Sequence, residues 1–428
     1  MASAQTAQNS SDRDHDSEAA MQSTEGEPQA STARFLDRLE HFTWAWFTLP
    51  MATGGMALLL APQTQPHTFS GLETIGKVVY IWDLFLFAAV TLCITYRFLR
   101  FPGTFVGSLT HPTESLLAAT PLLSLASIIA AIARYGIPNG GAWLIVAYRI
   151  LFWIYYVISS IAAVGLYFLL FTSPELKLSD MTPAWDLPIF PFMLSGTIAS
   201  AGAALQPSVQ GVPMIVAGLT AQGLGMMISI LMYANYIHRM IEYGFPSPHS
   251  RAGMFIAVGP PSFTSLALIG MANDFPASSR AYFGATETTV QILKVMATTS
   301  ALFIYSLSAW FFCITVLACL AAHDQMHFRM NWWAFVFPNV GFTIATISIG
   351  KMFQSPAVGW VGSAMTILLV VTYLAVGFQH VRAVIRKDIL WEGKDENTYW
   401  GERNLEGTFD DEFEKQPWEI SLGVSRLL

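Results

Sequence analysis

Long apolar runs recur along the chain from Phe42 to Val384, with few charged residues inside them. A helix needs about 20 apolar residues to cross the hydrocarbon core of a bilayer. Glycine, proline and clusters of charge divide the runs into ten segments. These segments lie near residues 42–61, 78–99, 112–133, 142–171, 187–205, 212–240, 253–272, 289–320, 332–350 and 357–385. The pattern predicts an all-α polytopic membrane protein with ten transmembrane helices.

Polar and acidic sequence is concentrated at the two ends of the chain. We expect residues 1–40 to be a disordered cytosolic tail, residues 41–387 to form the transmembrane domain, and residues 388–428 to be a second cytosolic tail. The composition agrees, because 53% of the 428 residues are hydrophobic and only 12% are charged. Soluble domains carry about 25% charged residues, so a soluble globular enzyme is excluded. The net charge of −7 indicates no nucleic-acid partner.

Positive charges near the helix ends predict the orientation of the chain. An even number of spans places both termini on one side, and lysine and arginine accumulate on the cytosolic side of membrane proteins. With cytoplasmic termini, eleven such residues lie on the cytosolic side and five on the other. We therefore predict a multi-pass protein whose two termini are both cytoplasmic.

Prolines inside the odd-numbered segments repeat at intervals of 71, 70, 70 and 77 residues. A small hydroxyl residue follows each proline three to five positions later. The prolines are Pro50, Pro121, Pro191, Pro261 and Pro338, and the hydroxyl residues are Thr53, Ser124, Ser195, Thr264 and Thr343. A proline within a helix removes a backbone hydrogen bond and kinks the helix. The period predicts five helical hairpins with quasi-fivefold symmetry, whose kinked odd helices surround a central pore.

Neutral polar residues dominate the odd segments, whose central portions contain no Lys, Arg, Asp or Glu. Hydroxyl groups can donate to anions or accept from cations, so they leave the sign of the substrate open. Channels selective for cations usually carry rings of carboxylates, which counts against a dedicated cation channel here. The five prolines and five hydroxyl residues are our candidates for the wall of the path.

A few ionisable residues are further candidates, because charge is costly inside a membrane. Arg97 and Arg251 lie at the cytosolic mouth, where they would attract anions or merely set the orientation. Arg149 would pair with Asp83 or offer its charge to a carboxylate substrate. Glu114 is expected to cap a helix. His41 and His111 would titrate near neutral pH or be inert interfacial residues.

Enzyme and metal chemistry find no support in the sequence. It contains no phosphate-binding glycine-rich loop, HExxH or CxxC motif, and the three cysteines lie in apolar runs without metal-ligand spacing. We therefore expect no cofactor and no metal. A membrane receptor or scaffold that moves nothing is disfavoured, because it would leave the repeated prolines without a purpose.

Several motifs resemble those of the fungal malic-acid (C4-dicarboxylate) transport proteins. These are HFTWAWFTLPMATGGM at 41–56, RAGMFIAVGPPSFT at 251–264, the His111-Pro112 pair and WWAFVFP at 332–338. The wider group is the tellurite-resistance/dicarboxylate transporter family, which includes plant slow anion channels and fungal sulfite efflux pumps. The resemblance covers about residues 40–390 and implies ten helices in five hairpins.

The resemblance also implies a function and a gate. In relatives an aromatic side chain of the ninth helix blocks the pore, and the motif assigns that role to Phe337, with Phe335 and Phe342 as alternatives. The implied substrates are malate, succinate and fumarate, and the rival substrates are sulfite or an inorganic anion. Relatives form trimers, which implies a homotrimer. Plasma-membrane residence is expected, while proton coupling, transport direction and the preferred acid stay open.

Overall fold

The computed structural model describes residues 35–172, 177–275 and 286–390. These residues are predominantly helical, contain no β-strand, and include ten main helices. The helices are α1 (Thr48–Leu60), α2 (Leu72–Arg100), α3 (Thr120–Ala131), α4 (Ala142–Thr172), α5 (Phe190–Gly202), α6 (Ser208–Tyr243), α7 (Gly259–Asn273), α8 (Glu287–Leu320), α9 (Phe337–Met352) and α10 (Pro356–Arg386). One further turn of helix, Phe35–Arg38, belongs to a separate unit from the part of the chain that begins at Leu39. Most of both predicted tails, residues 1–34 and 391–428, lies outside the described residues.

Eight helical segments in the described chain are long and apolar enough to cross a membrane. Two shorter apolar segments, Trp44–Leu60 and Phe190–Leu205, contain α1 and α5. Every one of the ten predicted segments therefore coincides with helix, and the prediction of an all-α polytopic membrane protein is confirmed.

Burial separates the helices into two groups. In the most apolar window of the α7 and α9 segments, 83% of residues are buried, whereas the corresponding values are 17% for α2 and 22% for α8 and α10. The sparsely buried helices expose large apolar side chains such as Phe303 and Phe378, as helices that face lipid do. The odd-numbered helices are thus the inner ones, and the even-numbered helices surround them.

The five inner helices contact one another in a closed order. α1 packs against α3, α3 against α5, α5 against α7 and α7 against α9, and α9 returns to α1. Contacts of this kind enclose a central axis lined by the inner helices. Each inner helix also packs against the outer helix that follows it in the chain.

The repeated prolines interrupt the inner segments in a way that differs from the expected kink. Each proline is the second or third residue of its α-helix, and at most three residues lie between that α-helix and the 3-10 turn or short helix before it. The first N–H groups of a helix have no acceptor within the helix, so proline costs no hydrogen bond there. The prolines are therefore starting points of α1, α3, α5, α7 and α9 rather than bends within them.

Candidate transport path

A cavity of about 230 Å³ lies at the N-terminal ends of the inner helices. Its wall includes residues from all five inner segments. Among them are Ala45, Thr48, Thr113, Thr120, Leu123, Thr182, Leu187, Phe190, Ser250, Gly253, Met330, Phe337 and Pro338. Thr48, Thr120, Phe190 and Phe337 are the first residues of their α-helices. Four helix N-termini therefore contribute to the wall of this cavity, which we call the large cavity.

A second cavity, of about 30 Å³, lies further along the same axis, and we call it the small cavity. It is also lined by all five inner helices, through residues that include Gly55, Ser127, Thr197, Phe263 and Val340. Phe337 lines both cavities. Its side chain is 2% exposed and lies between them.

Phe337 belongs to a cluster of three phenylalanine rings. Its centroid lies 5.1 Å from that of Phe263 in a stacked pair and 6.2 Å from that of Phe190 in an edge contact. Such contacts stabilise aromatic clusters by about 0.5–1.5 kcal/mol per pair beyond burial. The cluster places apolar surface at both cavities, because Phe190 lines the large one, Phe263 the small one and Phe337 both.

The alternative aromatic positions face elsewhere. Phe335 packs on Phe255, and Phe342 stacks on Tyr305 and Phe312. Both line a lateral cavity towards α8 and α10 rather than the large or the small cavity. Of the three aromatic candidates, Phe337 alone has the position that a central block requires.

The five hydroxyl residues predicted for the wall do not line either central cavity. These residues are Thr53, Ser124, Ser195, Thr264 and Thr343. Thr53 accepts a hydrogen bond from Tyr373 of α10 at 3.1 Å, and Thr264 accepts one from Gln222 of α6 at 2.8 Å. An α-helix turns about 100° per residue, so Thr53 faces outward while Gly55 faces the axis. The hydroxyl groups that do line the cavities belong to Thr48, Thr113, Thr120, Ser127, Thr182, Thr197 and Ser250.

The sequence suggested that Arg97 would attract anions at the cytosolic mouth, but the structure places it in the protein interior. Its side chain is fully buried and forms an ion pair with Glu114 at 2.5 Å. It also donates to the carbonyl of Phe42 at 3.0 Å. Glu114 is therefore more than a helix cap, because its carboxylate neutralises a buried guanidinium that also contacts the start of the first segment.

The other predicted ionisable residues lie in structural settings. Arg251 donates to the carbonyls of Pro246 and Ala318 and is half-buried. His111 caps the short helix Pro112–Leu117, and its Nδ1 accepts the backbone N–H of Glu114. His41 is half-buried at the end of the 3-10 turn Leu39–His41. None of these side chains lines the large or the small cavity.

Arg149 and Asp83 do not form the expected pair. Among the ion pairs of the described residues neither side chain takes part, and Arg149 is half-buried on α4. Asp83 of α2 is fully buried, and its carboxyl reaches Gly54 of α1 and Ser127 of α3. The carboxyl therefore extends from an outer helix into the inner layer.

A buried carboxyl that sequence reasoning missed is Asp186, in the 3-10 turn Pro183–Asp186 before α5. Its Oδ2 accepts hydrogen bonds from Ser229 at 2.7 Å and Tyr233 at 3.1 Å. Burial raises the pKa of this carboxyl to about 7, although these hydrogen bonds oppose the shift. Its neighbours Ala184 and Leu187 line the large cavity. Little in the sequence indicates that Asp186 is buried, because it directly precedes an apolar run and resembles an ordinary charge at the end of a helix.

Two cavities lined by the inner helices of an apolar helical bundle are an arrangement typical of a membrane transport protein. The chain belongs to the SLAC1 family of voltage-dependent anion channels, whose family model matches residues 41–381.

Curated relatives agree with this assignment. The malic acid transport protein of Schizosaccharomyces pombe is 39% identical, over 85% of this chain and 83% of its own length. A putative malic acid transport protein of the same organism is 36% identical, over 85% of this chain and 84% of its own. The sulfite efflux pump SSU1 of Trichophyton rubrum is 26% identical, over 79% of this chain and 89% of its own.

Proposed function

We propose that this protein carries C4-dicarboxylate anions such as malate, succinate and fumarate across the plasma membrane, through a central path that Phe337 closes. The observation that carries the proposal is the position of Phe337 between the large and small cavities, each lined by all five inner segments. A phenyl ring in an apolar constriction stops a hydrated anion by steric block and by the cost of removing its water.

The walls of the cavities favour anions over cations. No described residue that lines either central cavity carries a charge. The N-termini of α1, α3, α5 and α9 contribute partial positive charges to the large cavity. The hydroxyl of Ser250 accepts a hydrogen bond from Ser247, so its own proton can be donated to a carboxylate oxygen. A neutral, hydroxyl-bearing wall with helix N-termini suits a carboxylate that keeps part of its water.

The dicarboxylate substrate is supported by the two relatives named as malic acid transport proteins, which are more similar to this chain than the sulfite efflux pump. Sulfite or an inorganic anion on the same fold is the alternative. The proposal includes ten transmembrane helices as five hairpins with quasi-fivefold symmetry, for which the closed order of inner contacts is support. It also includes cytoplasmic termini and a homotrimer.

The test is uptake of radiolabelled malate by purified protein in liposomes between pH 4 and pH 7, with unlabelled succinate and sulfite as competitors. Saturable uptake that succinate competes is the expected result. If sulfite or chloride moves and malate does not, the dicarboxylate assignment is wrong and the inorganic-anion alternative replaces it. The mass of the protein in detergent, measured by light scattering, tests the trimer.

A further inference from the structure

We propose that Asp83 is the proton-binding site of the transport path, and that its deprotonation inhibits the passage of anions. The inference rests on the proposed function for the sign of the substrate. It assigns a role to a carboxyl that belongs to the outer helix α2 but lies against the inner wall.

The position of Asp83 is set by a glycine. A Cβ placed on Gly54 would lie 2.6 Å from Asp83 Oδ2 and would overlap Ser127 Oγ. The missing side chain at Gly54 therefore leaves space that the carboxyl of Asp83 and the hydroxyl of Ser127 both adjoin. Ser127 lines the small cavity, on the far side of Phe337 from the large cavity. Only the layer formed by Gly54 and Ser127 separates Asp83 from the path.

The carboxyl of Asp83 has no ion-pair partner among the described residues. Neither of its oxygens accepts a hydrogen bond from that part of the chain, and the side chain is fully buried. The backbone N–H of Gly54 lies near the carboxyl and offsets only part of the cost of its burial. An ionised carboxylate without a partner is expensive in a membrane interior, so a neutral carboxylic acid is the form that these surroundings accommodate.

The titratable groups around Asp83 do not provide a counter-charge. Neither α1 nor α3 contains an ionisable residue. Tyr80 of α2 and Tyr373 of α10 lie near enough to interact electrostatically with the carboxyl, and both are neutral phenols. Arg97, on the same helix, is neutralised by Glu114. The charge on Asp83 therefore depends on proton binding alone.

Deprotonation would place a negative charge directly behind the wall of the small cavity. The carboxylate would repel an anion in the small cavity, and this repulsion is strong because the surrounding medium has a low dielectric constant. We expect it to slow the passage of the anion by about tenfold or more. Protonation removes this barrier. The rate of transport then depends on pH, although the described residues that line the two cavities include no carboxylate.

The test compares anion flux through the wild type and D83N in liposomes from pH 4 to pH 10. The ionisation of malate is the same for both proteins, so the ratio of their fluxes reports titration of the protein. We expect the flux through D83N divided by the flux through the wild type to be near one at pH 4. This ratio should rise about tenfold at higher pH, because the wild type slows. The control is E73Q, which changes an exposed carboxylate on the same helix and should follow the wild type.

A flux ratio that stays constant across the pH range overturns the proposal, as does a wild-type flux that depends on Na⁺ rather than on pH. If D186N and not D83N removes the pH dependence, the proton site is Asp186. Should D83N fail to fold, D83S also removes the charge without adding bulk, and the same ratio is expected. If malate does not move at all, the proposed substrate fails separately, and the ratio is measured with the inorganic anion that does move.

Discussion

The ring of Phe337 packs against the backbone of Gly55, where an added Cβ would lie 3.1 Å from the ring atom Cδ2. The other two rings of the cluster also rest on glycine. A Cβ at Gly341 would lie 2.6 Å from Phe263 Cε2, and one at Gly259 would lie 2.8 Å from Phe190 Cζ. The aromatic cluster therefore fits tightly because its neighbouring helices present bare backbone to it.

Replacing Phe337 with alanine should open the central axis. Removal of the ring joins the large and small cavities and lowers the cost of desolvating an anion at the constriction, so we expect anion flux to rise by about tenfold or more. Flux is measured as uptake of labelled malate into proteoliposomes. The matched control is F378A, which removes a ring that is 68% exposed on α10. Unchanged flux in F337A would show that the block lies elsewhere.

Replacing Gly55 with alanine should disturb the same ring without removing it. The added methyl group is too close to Phe337, so the ring must move by a few tenths of an ångström. We expect basal flux to increase, but by less than in F337A. G223A is the matched control, since a Cβ there meets no atom within 4 Å. Equal flux in G55A, G223A and wild type would mean that the packing of Phe337 on Gly55 does not hold the path closed.

Hydropathy predicted the location of the helices well, because the cost of burying polar backbone and side chains in lipid leaves a strong signal in each segment. The repeated prolines correctly marked a break in each inner segment. They did not reveal the rotation of each helix, which depends on packing against neighbours. Thr53 and Thr264 were therefore expected at the axis, whereas they face α10 and α6.

The pairing of Arg97 with Glu114 could not be predicted either. The two residues lie 17 positions apart on different helices, and only tertiary packing brings them together. The position of Asp83 in the sequence likewise did not indicate that its side chain extends towards two inner helices. The position of Phe337 was easier to predict, because a motif shared with a family carries the position of a side chain as well as that of its helix, and its role as the gate stays a prediction.

Breaking the Arg97–Glu114 pair should destabilise the protein strongly. Removing one partner leaves an uncompensated buried charge, which costs about 3–5 kcal/mol. We expect R97M and E114M each to lower the midpoint of thermal unfolding in detergent, and R97M/E114M to lower it by less than the sum of the two. The melting is followed by tryptophan fluorescence. Additive losses would contradict a direct ion pair, because independent sites add.

Asp274 should make the stability of the protein depend on pH. This residue follows α7 directly, and its Oδ2 accepts the backbone N–H of Ala204, in the 3-10 turn after α5. Burial raises the pKa of its carboxyl to about 6, although this hydrogen bond opposes the shift. The folded state therefore binds a proton more tightly than the unfolded state, whose aspartate has a pKa of about 3.9.

Because the folded state binds this proton more tightly, the free energy of unfolding falls as the pH increases from about 4 to about 6. Above that range this contribution to stability is fully lost. The amide side chain of the D274N variant cannot ionise, yet its carbonyl can still accept the N–H of Ala204. We expect D274N to melt at a higher temperature than the wild type at pH 7.5, with a smaller difference at pH 4. E73Q, an exposed change, should show no such trend. A wild-type protein that is more stable than D274N at pH 7.5 would show that the ionised carboxylate is favourable at this position, which would reverse the sign argued from its burial.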